Sequence, residues 1–108
     1  TGLYHILKNV SDRYHKPVVV TENGIGTQSG QKAIRYLREH VAQVRRAMND
    51  GVDVRGYFPW TLVDNYEWTE GWGHGQFGLY SFDKKTHERL PTPSALWYAN
   101  FIKAYPEP

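Results

Sequence analysis

The chain has 108 residues, of which 40% are hydrophobic, 22% charged and 15% aromatic, a composition typical of one small globular domain. The 13 lysines and arginines against 11 acids give a formal charge of +2, too small to indicate nucleic acid or an anionic membrane as a partner. Without cysteine there is no disulfide framework or thiolate metal site, and no apolar run approaches the roughly 20 residues of a membrane span. The first residues lack a signal-peptide pattern, so we expect a cytoplasmic protein.

The first predicted element is an amphipathic helix that ends near His15, before Pro17. Its apolar residues recur at helical spacing, and they are Leu3, Ile6, Leu7, Val10 and Tyr14. We expect this face to pack on the first strand.

Residues 17–26 form an apolar run that reaches Glu22 and then a glycine-containing loop. Val18, Val19 and Val20 stand together without polar alternation, which is typical of a strand covered on both faces in a parallel α/β sheet. Loops that leave such strands form active sites, so Glu22 is a candidate catalytic carboxylate. The alternative for this segment alone is an ordinary strand end with an Asn-Gly turn.

A longer helix is predicted over about residues 31–50, with Gly51 as its C′ terminator. Its apolar face consists of Ile34, Leu37, Val41, Val44 and Met48. The arginines at positions 35, 38, 45 and 46 fall elsewhere on this helix. We expect them to form a solvated face with an Arg35–Glu39 pair, rather than an anion site.

Residues 54–60 predict a second strand, and the helix before it makes a right-handed βαβ crossover, which is the repeat of a barrel. Residues 77–82 predict a short extended piece, followed by a turn at residues 83–86. Thr92 and Pro93 then open a last helix as its N-cap and N1 residues. Its apolar side is predicted from Leu96, Phe101, Ile102 and Tyr105, and Trp97 and Tyr98 are interpreted as core residues.

The segment 56–68 begins as an apolar strand and continues into acids, an amide and two indoles. Sugars stack their C–H faces on aromatic rings, and carboxylates and indole N–H groups bind their hydroxyls. The segment therefore predicts a carbohydrate-binding site.

Four motifs in order carry a resemblance to a known family. They are Thr-Glu-Asn-Gly at residues 21–24, the run from Trp60 to Trp68, Gln-Phe-Gly-Leu-Tyr at residues 76–80, and Pro-Ser-Ala-Leu-Trp-Tyr at residues 93–98. Together they resemble the C-terminal part of a family 1 glycoside hydrolase, the β-glucosidase family. The resemblance implies a (β/α)8 barrel that hydrolyses β-linked sugars with retention, using two glutamates. The family's acid/base glutamate lies in an Asn-Glu-Pro motif, and this sequence contains none.

The same resemblance implies a role for each matching residue. Glu22 corresponds to the nucleophile. Glu67 corresponds to the residue that binds two hydroxyls of the non-reducing sugar, and Trp68 donates its indole N–H to a neighbouring hydroxyl. Trp60 resembles the family's platform indole beneath that sugar, and Phe77 resembles an aromatic residue that closes the pocket near the hydroxymethyl group. Because relatives acting on 6-phosphorylated sugars replace the acid at Glu67, we expect unphosphorylated β-glycosides as substrates.

The fold class predicted is α/β, with residues 1–108 as a single unit. Because 108 residues are less than half of the roughly 250 in a TIM barrel, we expect the last two βα units of a (β/α)8 barrel, incomplete as a single chain. Pro59 and Gln76 depart from the family pattern and bear on fine specificity only. Pro59, lacking a backbone donor, should sit at a strand end or bulge.

We expect no metal and no cofactor, because the five histidines include no short-spaced ligand pair. The glycines at positions 71, 73, 75 and 78, interleaved with Trp72 and His74, are interpreted as a flexible rim of the sugar pocket rather than a phosphate loop.

Three functions stay open. The first is part of a retaining β-glycosidase, active only when another polypeptide supplies the missing strands and acid/base. The second is a weak sugar-binding module, and the third is a structural unit that self-assembles. Because two barrel strands alone expose edges and apolar faces, we expect a homo-oligomer or a complementing barrel portion as the partner.

Overall fold

The computed structural model describes residues 2–72 and 75–105, which form three helices and four short strands. In chain order they are α1 (Gly2–Tyr14), β1 (Val18–Asn23), α2 (Gly30–Asn49), β2 (Val54–Pro59), β3 (Tyr80–Phe82), β4 (Arg89–Pro91) and α3 (Pro93–Ala104). Within these described ranges, no helix has the length and apolar character needed to cross a membrane.

The two main strands are parallel, as predicted, and α2 is the crossover between them. Val18 pairs with Val54 and Val20 pairs with Tyr57. Pro59 is the last residue of β2, so the prediction that this proline sits at a strand end is confirmed. A separate antiparallel hairpin joins β3 and β4. The described residues do not close a barrel, in agreement with the predicted portion of a (β/α)8 fold.

The core lies on one face of the β1–β2 sheet, which we call the helix-covered face. Leu7 of α1, Val44 and Ala47 of α2, and Val52 are buried together there. Val18, Val20, Val54 and Tyr57 of the two strands pack against this cluster.

The opposite face of the sheet, defined by Val19 and Phe58, is the open face. Val19 is 46% exposed and Phe58 is 59% exposed. The prediction that β1 is covered on both faces is therefore wrong for the described residues. Helices α1 and α2 pack from one side only, so alternate side chains of the strand face outward.

Helix α1 ends where predicted, but its apolar face is only partly buried. Leu7 is buried, whereas Ile6 and Tyr14 are more than half exposed. The helix packs mainly on α2 and only slightly on β1. The Tyr4 hydroxyl donates to the Asp50 carboxylate at 2.7 Å, which ties α1 to the end of α2.

Helix α2 begins at the N-cap Ser29, whose hydroxyl accepts a hydrogen bond from the Lys32 backbone N–H. It ends before Gly51, whose φ of +87° favours glycine, so the predicted terminator is confirmed. On its apolar face Leu37, Val41 and Val44 are buried, as predicted, whereas Met48 at its end is 48% exposed.

The four arginines of α2 are exposed, as predicted, and two of them also lie over aromatic rings. The exposed Arg35–Glu39 pair forms at 2.7 Å, as expected. In contrast, the Arg45 guanidinium lies 4.3 Å from the centre of the Tyr105 ring, and Arg46 lies 4.1 Å from that of Tyr4. These two arginines therefore stack on aromatic side chains outside α2, because the neighbouring segments bring rings over the helix.

The hairpin and α3 complete the chain. Residues 77–79 precede β3 rather than belong to it, and β4 forms the second strand of the hairpin-like excursion that the sequence predicts before the last helix. The Thr92 hydroxyl accepts from the Ala95 backbone N–H, confirming the predicted N-cap.

The predicted apolar side of α3 is largely exposed. Leu96 is 59% and Ile102 is 52% exposed, since the helix packs on α2 through its other side. Trp97 and Tyr98 are half-buried, and the Tyr98 hydroxyl donates to the Tyr57 carbonyl oxygen at 3.3 Å.

Candidate active site

Glu22 and Trp60 lie at the carboxyl ends of the two parallel strands, Glu22 within β1 and Trp60 directly after β2. The Trp60 backbone N–H donates to the Asn23 carbonyl oxygen at 2.9 Å. Gly24 has no room for a side chain, because a Cβ there would overlap the Trp60 carbonyl oxygen. The Trp60–Thr61 peptide bond is cis. The loop after Glu22 therefore rests directly on the backbone that follows β2.

The exposure of Glu22 depends on an irregularity in strand pairing. Val18 and Val20 face the helices, so strict alternation would turn Glu22 toward the helices as well. Between the pairs Val20–Tyr57 and Asn23–Pro59, however, β1 advances by three residues and β2 by two. The extra residue is a bulge, and bulges re-aim side chains next to active sites. Glu22 is accordingly exposed, and Asn23 takes the place facing the helices.

The Asn23 side chain is held by two tyrosines from other elements. The Tyr57 hydroxyl of β2 donates to Asn23 Oδ1 at 2.7 Å. Asn23 Nδ2 donates to the Tyr36 hydroxyl of α2 at 3.2 Å. Burial raises the pKa of the Tyr57 phenol, so this group stays protonated and remains a donor.

The segment after β2 is joined to the segment before β3 by backbone hydrogen bonds. Thr61 N–H donates to the Phe77 carbonyl oxygen at 3.1 Å, and Leu79 N–H donates to that of Thr61 at 2.9 Å. The segment that carries Glu67 and the segment that carries Phe77 therefore start from one short parallel ladder.

Asp64 strengthens this ladder and was missed by the sequence interpretation. Its Oδ1 accepts from the Gly78 backbone N–H at 2.7 Å, and its own N–H donates to the Tyr80 carbonyl oxygen at 3.0 Å. A Cβ at Gly78 would overlap Asp64 and the Tyr80 carbonyl oxygen. The glycine in the Gln-Phe-Gly-Leu-Tyr motif was a signal of close approach, but the partner could not be read from the sequence.

Phe77 connects the loop after Glu22 with the region of Glu67. A Cβ at Gly26 would approach the Phe77 ring to 3.0 Å, and one at Gly75 would approach it to 2.7 Å. The same Gly75 position lies 3.5 Å from Glu67 Cγ. Phe77 thus packs between two glycine-containing loops that carry the predicted site residues.

Glu67 is half-buried in a tight turn. Its backbone N–H donates to the Gly71 carbonyl oxygen at 3.0 Å, and the Gly71 N–H donates to the Glu67 carbonyl oxygen at 2.7 Å. Its Oε1 atom is buried and accepts no hydrogen bond from any described residue. A buried carboxylate oxygen without a donor carries an unmet hydrogen-bonding capacity, which a hydroxyl group can satisfy.

Trp68 stands apart from the other predicted residues. Its side chain is 92% exposed, and its ring meets Tyr66 edge-on with centroids 6.1 Å apart. The structure therefore brings the segments of Glu22, Trp60, Glu67 and Phe77 into contact, but leaves the Trp68 ring in solvent.

Two expectations concern the glycine-rich rim and metals. Gly71 closes the turn of Glu67, and Gly75 packs on Phe77, whereas Gly73 and His74 lie outside the described residues.

Among residues 2–72 and 75–105 no group of three or more His, Cys, Asp or Glu side chains is placed to hold a metal ion. The absence of a metal and of a cofactor stays a prediction.

The chain is similar to known proteins over nearly its whole length. The model of "Glycosyl hydrolase family 1" matches residues 1–106. The chain is 43% identical over 112 aligned positions to a 1,4-beta-D-glucan glucohydrolase of Thermotoga neapolitana, covering 94% of the chain and 25% of that protein. It is 47% identical over 97 positions to a beta-galactosidase of Saccharolobus solfataricus, covering 90% of the chain and 20% of that protein.

The same likeness holds in three dimensions. The structure of a beta-glucosidase from Thermotoga maritima in complex with castanospermine superposes with a TM-score of 0.92 at 36% identity, covering 99% of the chain and 26% of that structure. The chain thus spans a fifth to a quarter of the length of these relatives.

Proposed function

Because the chain belongs to glycosyl hydrolase family 1, we propose that it supplies the nucleophile and the sugar-binding residues of a retaining β-glycosidase. The observation that carries this proposal is the exposed Glu22 at the carboxyl end of β1, beside Trp60 at the end of β2. Active sites of TIM barrels lie at this end of the strands.

In the proposed reaction the Glu22 carboxylate attacks the anomeric carbon and the bond to the leaving-group oxygen breaks, which forms a glycosyl-enzyme. A second carboxyl, about 5 to 5.5 Å away, protonates that oxygen and later takes a proton from the water that hydrolyses the intermediate. The 108 residues contain no Asn-Glu-Pro motif, so this second carboxyl would come from another segment of polypeptide. The chain alone is then inactive.

The sugar itself would be held by Glu67 and three aromatic residues. The Oε1 atom of Glu67 is buried and accepts no hydrogen bond from the part of the chain that the structure describes, which supports its role as an acceptor for sugar hydroxyls. Trp60 would form the platform beneath the ring, Phe77 would close the pocket, and Trp68 would donate its indole N–H. Since Trp68 is exposed, this last role requires the sugar or a neighbouring segment to cover its ring. The substrates we propose are unphosphorylated β-glycosides.

Hydrolysis of a chromogenic aryl β-glucoside tests the proposal. We would assay the chain alone and mixed with the first three quarters of a family 1 relative, each with Glu22→Gln as the matched control. The mixture should hydrolyse the glycoside, and Glu22→Gln should lower kcat at least roughly 10³-fold, as expected for loss of a nucleophile. An active mixture that keeps its rate with Glu22→Gln would contradict the proposal.

The open face of the sheet favours a second candidate function, a self-assembling unit with weak or no sugar binding. Val19 and Phe58 are exposed there, with Leu62 64% exposed just beyond β2. Apolar surface of this kind, next to unpaired strand edges, promotes association. We propose that residues 1–108 fold as one unit that pairs through this face with a second copy or with a complementing barrel portion. A clean 12.5 kDa monomer in light scattering at high concentration would exclude self-pairing.

A further inference from the structure

One side chain at the end of β1 joins three elements of the fold. Asn23 of β1 accepts from Tyr57 of β2 at 2.7 Å and donates to Tyr36 of α2 at 3.2 Å. The Tyr36 ring is itself fixed, because it stacks on the His40 imidazole with centroids 3.8 Å apart and planes 23° apart. The His40 Nδ1 atom lies 2.8 Å from the Tyr36 carbonyl oxygen. Both hydroxyls therefore meet Asn23 from anchored positions.

These hydrogen bonds are placed at the bulge that exposes Glu22. Without the extra residue between Val20 and Asn23, alternation would turn Glu22 toward the helix-covered face. Asn23 occupies that position instead, and its amide satisfies one donor and one acceptor there. A regular register would put the Glu22 carboxylate among apolar residues, while the two hydroxyls would lose their partner.

We propose that Tyr57 and Tyr36 are positioning residues, which act through Asn23 to hold the bulge and keep the Glu22 carboxylate on the open face. This inference rests on the proposed role of Glu22 as the nucleophile. It assigns a function to two tyrosines that are not among the residues proposed to hold the sugar. The amide of Asn23 is suited to this task because it offers an acceptor to Tyr57 and a donor to Tyr36 at once.

The test uses Tyr57→Phe in the full chain, with Tyr98→Phe as the matched control. Both tyrosines are part-buried and each donates one hydrogen bond from its hydroxyl, but Tyr98 bonds to a backbone carbonyl oxygen and not to Asn23. Two readouts apply to the chain alone. The first is hydrogen exchange of the Trp60 amide, which bonds to Asn23, relative to the Val18 amide, which bonds to Asp53. The second is carbodiimide labelling of Glu22 relative to the exposed Glu70.

In Tyr57→Phe we expect Trp60 exchange to rise about tenfold relative to Val18, as for the loss of one hydrogen bond. Labelling of Glu22 should fall by at least about half, because part of the population turns its carboxylate toward the helices. In Tyr98→Phe both ratios should stay unchanged. Equal changes in the two variants, or no change at Trp60 and Glu22 in Tyr57→Phe, would overturn the inference.

A second variant keeps the test decisive if Tyr57→Phe does not fold. Asn23→Leu has a similar size and removes both hydrogen bonds, so both ratios should change at least as much as in Tyr57→Phe. Unchanged ratios in Asn23→Leu would likewise overturn the inference. In the complemented mixture, Tyr57→Phe should lower kcat about tenfold with KM unchanged, since the sugar contacts are untouched. Hydrogen exchange and carbodiimide labelling do not depend on catalytic activity. They therefore test the roles of Tyr57 and Tyr36 whether or not Glu22→Gln abolishes hydrolysis.

Discussion

The two faces of the β1–β2 sheet are built from the same residue types and lie in opposite environments. Val18 and Val20 pack on the buried cluster of Leu7 and Val44, whereas Val19 between them is 46% exposed. An apolar residue gains nothing from facing solvent. It is expected, however, in a barrel strand whose second face is covered by the barrel interior. This chain therefore carries the pattern of a larger fold, while its described residues bury only one side of the sheet.

The two ends of the candidate site differ in a similar way. Around Glu22 and Trp60 the backbone is held by strand pairing, a bulge and two tyrosine hydroxyls. The Trp68 side chain is instead 92% exposed, and its ring meets that of Tyr66 edge-on. The part of the site proposed for bond cleavage is therefore preorganised, and the part proposed for hydroxyl recognition is partly open.

The largest expected effect concerns the helix-covered face. Leu7→Ala should lower the free energy of unfolding by about 2 to 5 kcal/mol, because Leu7 is 2% exposed and its truncation leaves a cavity. Urea titration followed by circular dichroism measures this loss. The control, Val19→Ala on the open face, should cost less than about 1 kcal/mol, as is usual for partly exposed positions. Similar losses in both variants would mean that the two faces do not differ energetically.

The next effect concerns the ladder that supports Glu67 and Phe77. Gly78→Ala should lower the free energy of unfolding by roughly 1 to 3 kcal/mol, because a Cβ there overlaps Asp64 and the Tyr80 carbonyl oxygen. The matched control is Gly2→Ala, where no heavy atom lies within 4 Å of the added Cβ. Thermal unfolding of both variants measures the difference. If Gly78→Ala left the free energy of unfolding unchanged, the contact between Asp64 and Gly78 would have to be loose enough to accept a Cβ.

A smaller effect concerns association through the open face. Phe58→Ser should weaken self-association about tenfold, since it removes an exposed aromatic ring from the proposed contact. Sedimentation equilibrium over a range of concentrations gives the association constant. Leu90→Ser, in the hairpin and 57% exposed, is the control and should leave that constant unchanged. An association constant that falls equally in both variants would place the contact elsewhere.

The smallest effect is the pH dependence of the hairpin turn. The Thr86 and Lys85 backbone N–H groups donate to the Asp83 carboxylate at 2.9 and 2.7 Å, and these bonds hold the pKa of Asp83 below its ordinary value. Because the folded pKa is lowered, the stabilisation is present above the ordinary pKa and is lost as pH falls through the folded value. Carbon NMR of the Asp83 carboxyl measures its titration. A midpoint at or above the ordinary value would contradict the turn geometry, and Asp83→Asn should abolish the dependence.

Much of the fold could be predicted because it depends on short stretches of chain. The ends of α1 and α2, the terminator Gly51 and the N-cap Thr92 follow from side chains within one helical turn. The position of Glu22 at a strand end follows from the valine run before it. The predicted burial of the apolar faces of α1 and α3 failed for the same reason. Periodicity identifies an apolar face from local sequence but does not say which neighbouring element covers it.

By itself the sequence determined the order of elements, the parallel pair of strands, the family and the placement of Glu22 and Trp60 at the strand ends. The tertiary structure alone decided which face of β1 is open, and that strand pairing shifts its register just before Asn23, beside the exposed Glu22. It also decided that Asp64 holds Gly78, and that Tyr57 and Tyr36 hold Asn23. The physical reason is that these contacts join residues 13 to 34 positions apart, where no local periodicity or propensity specifies the partner.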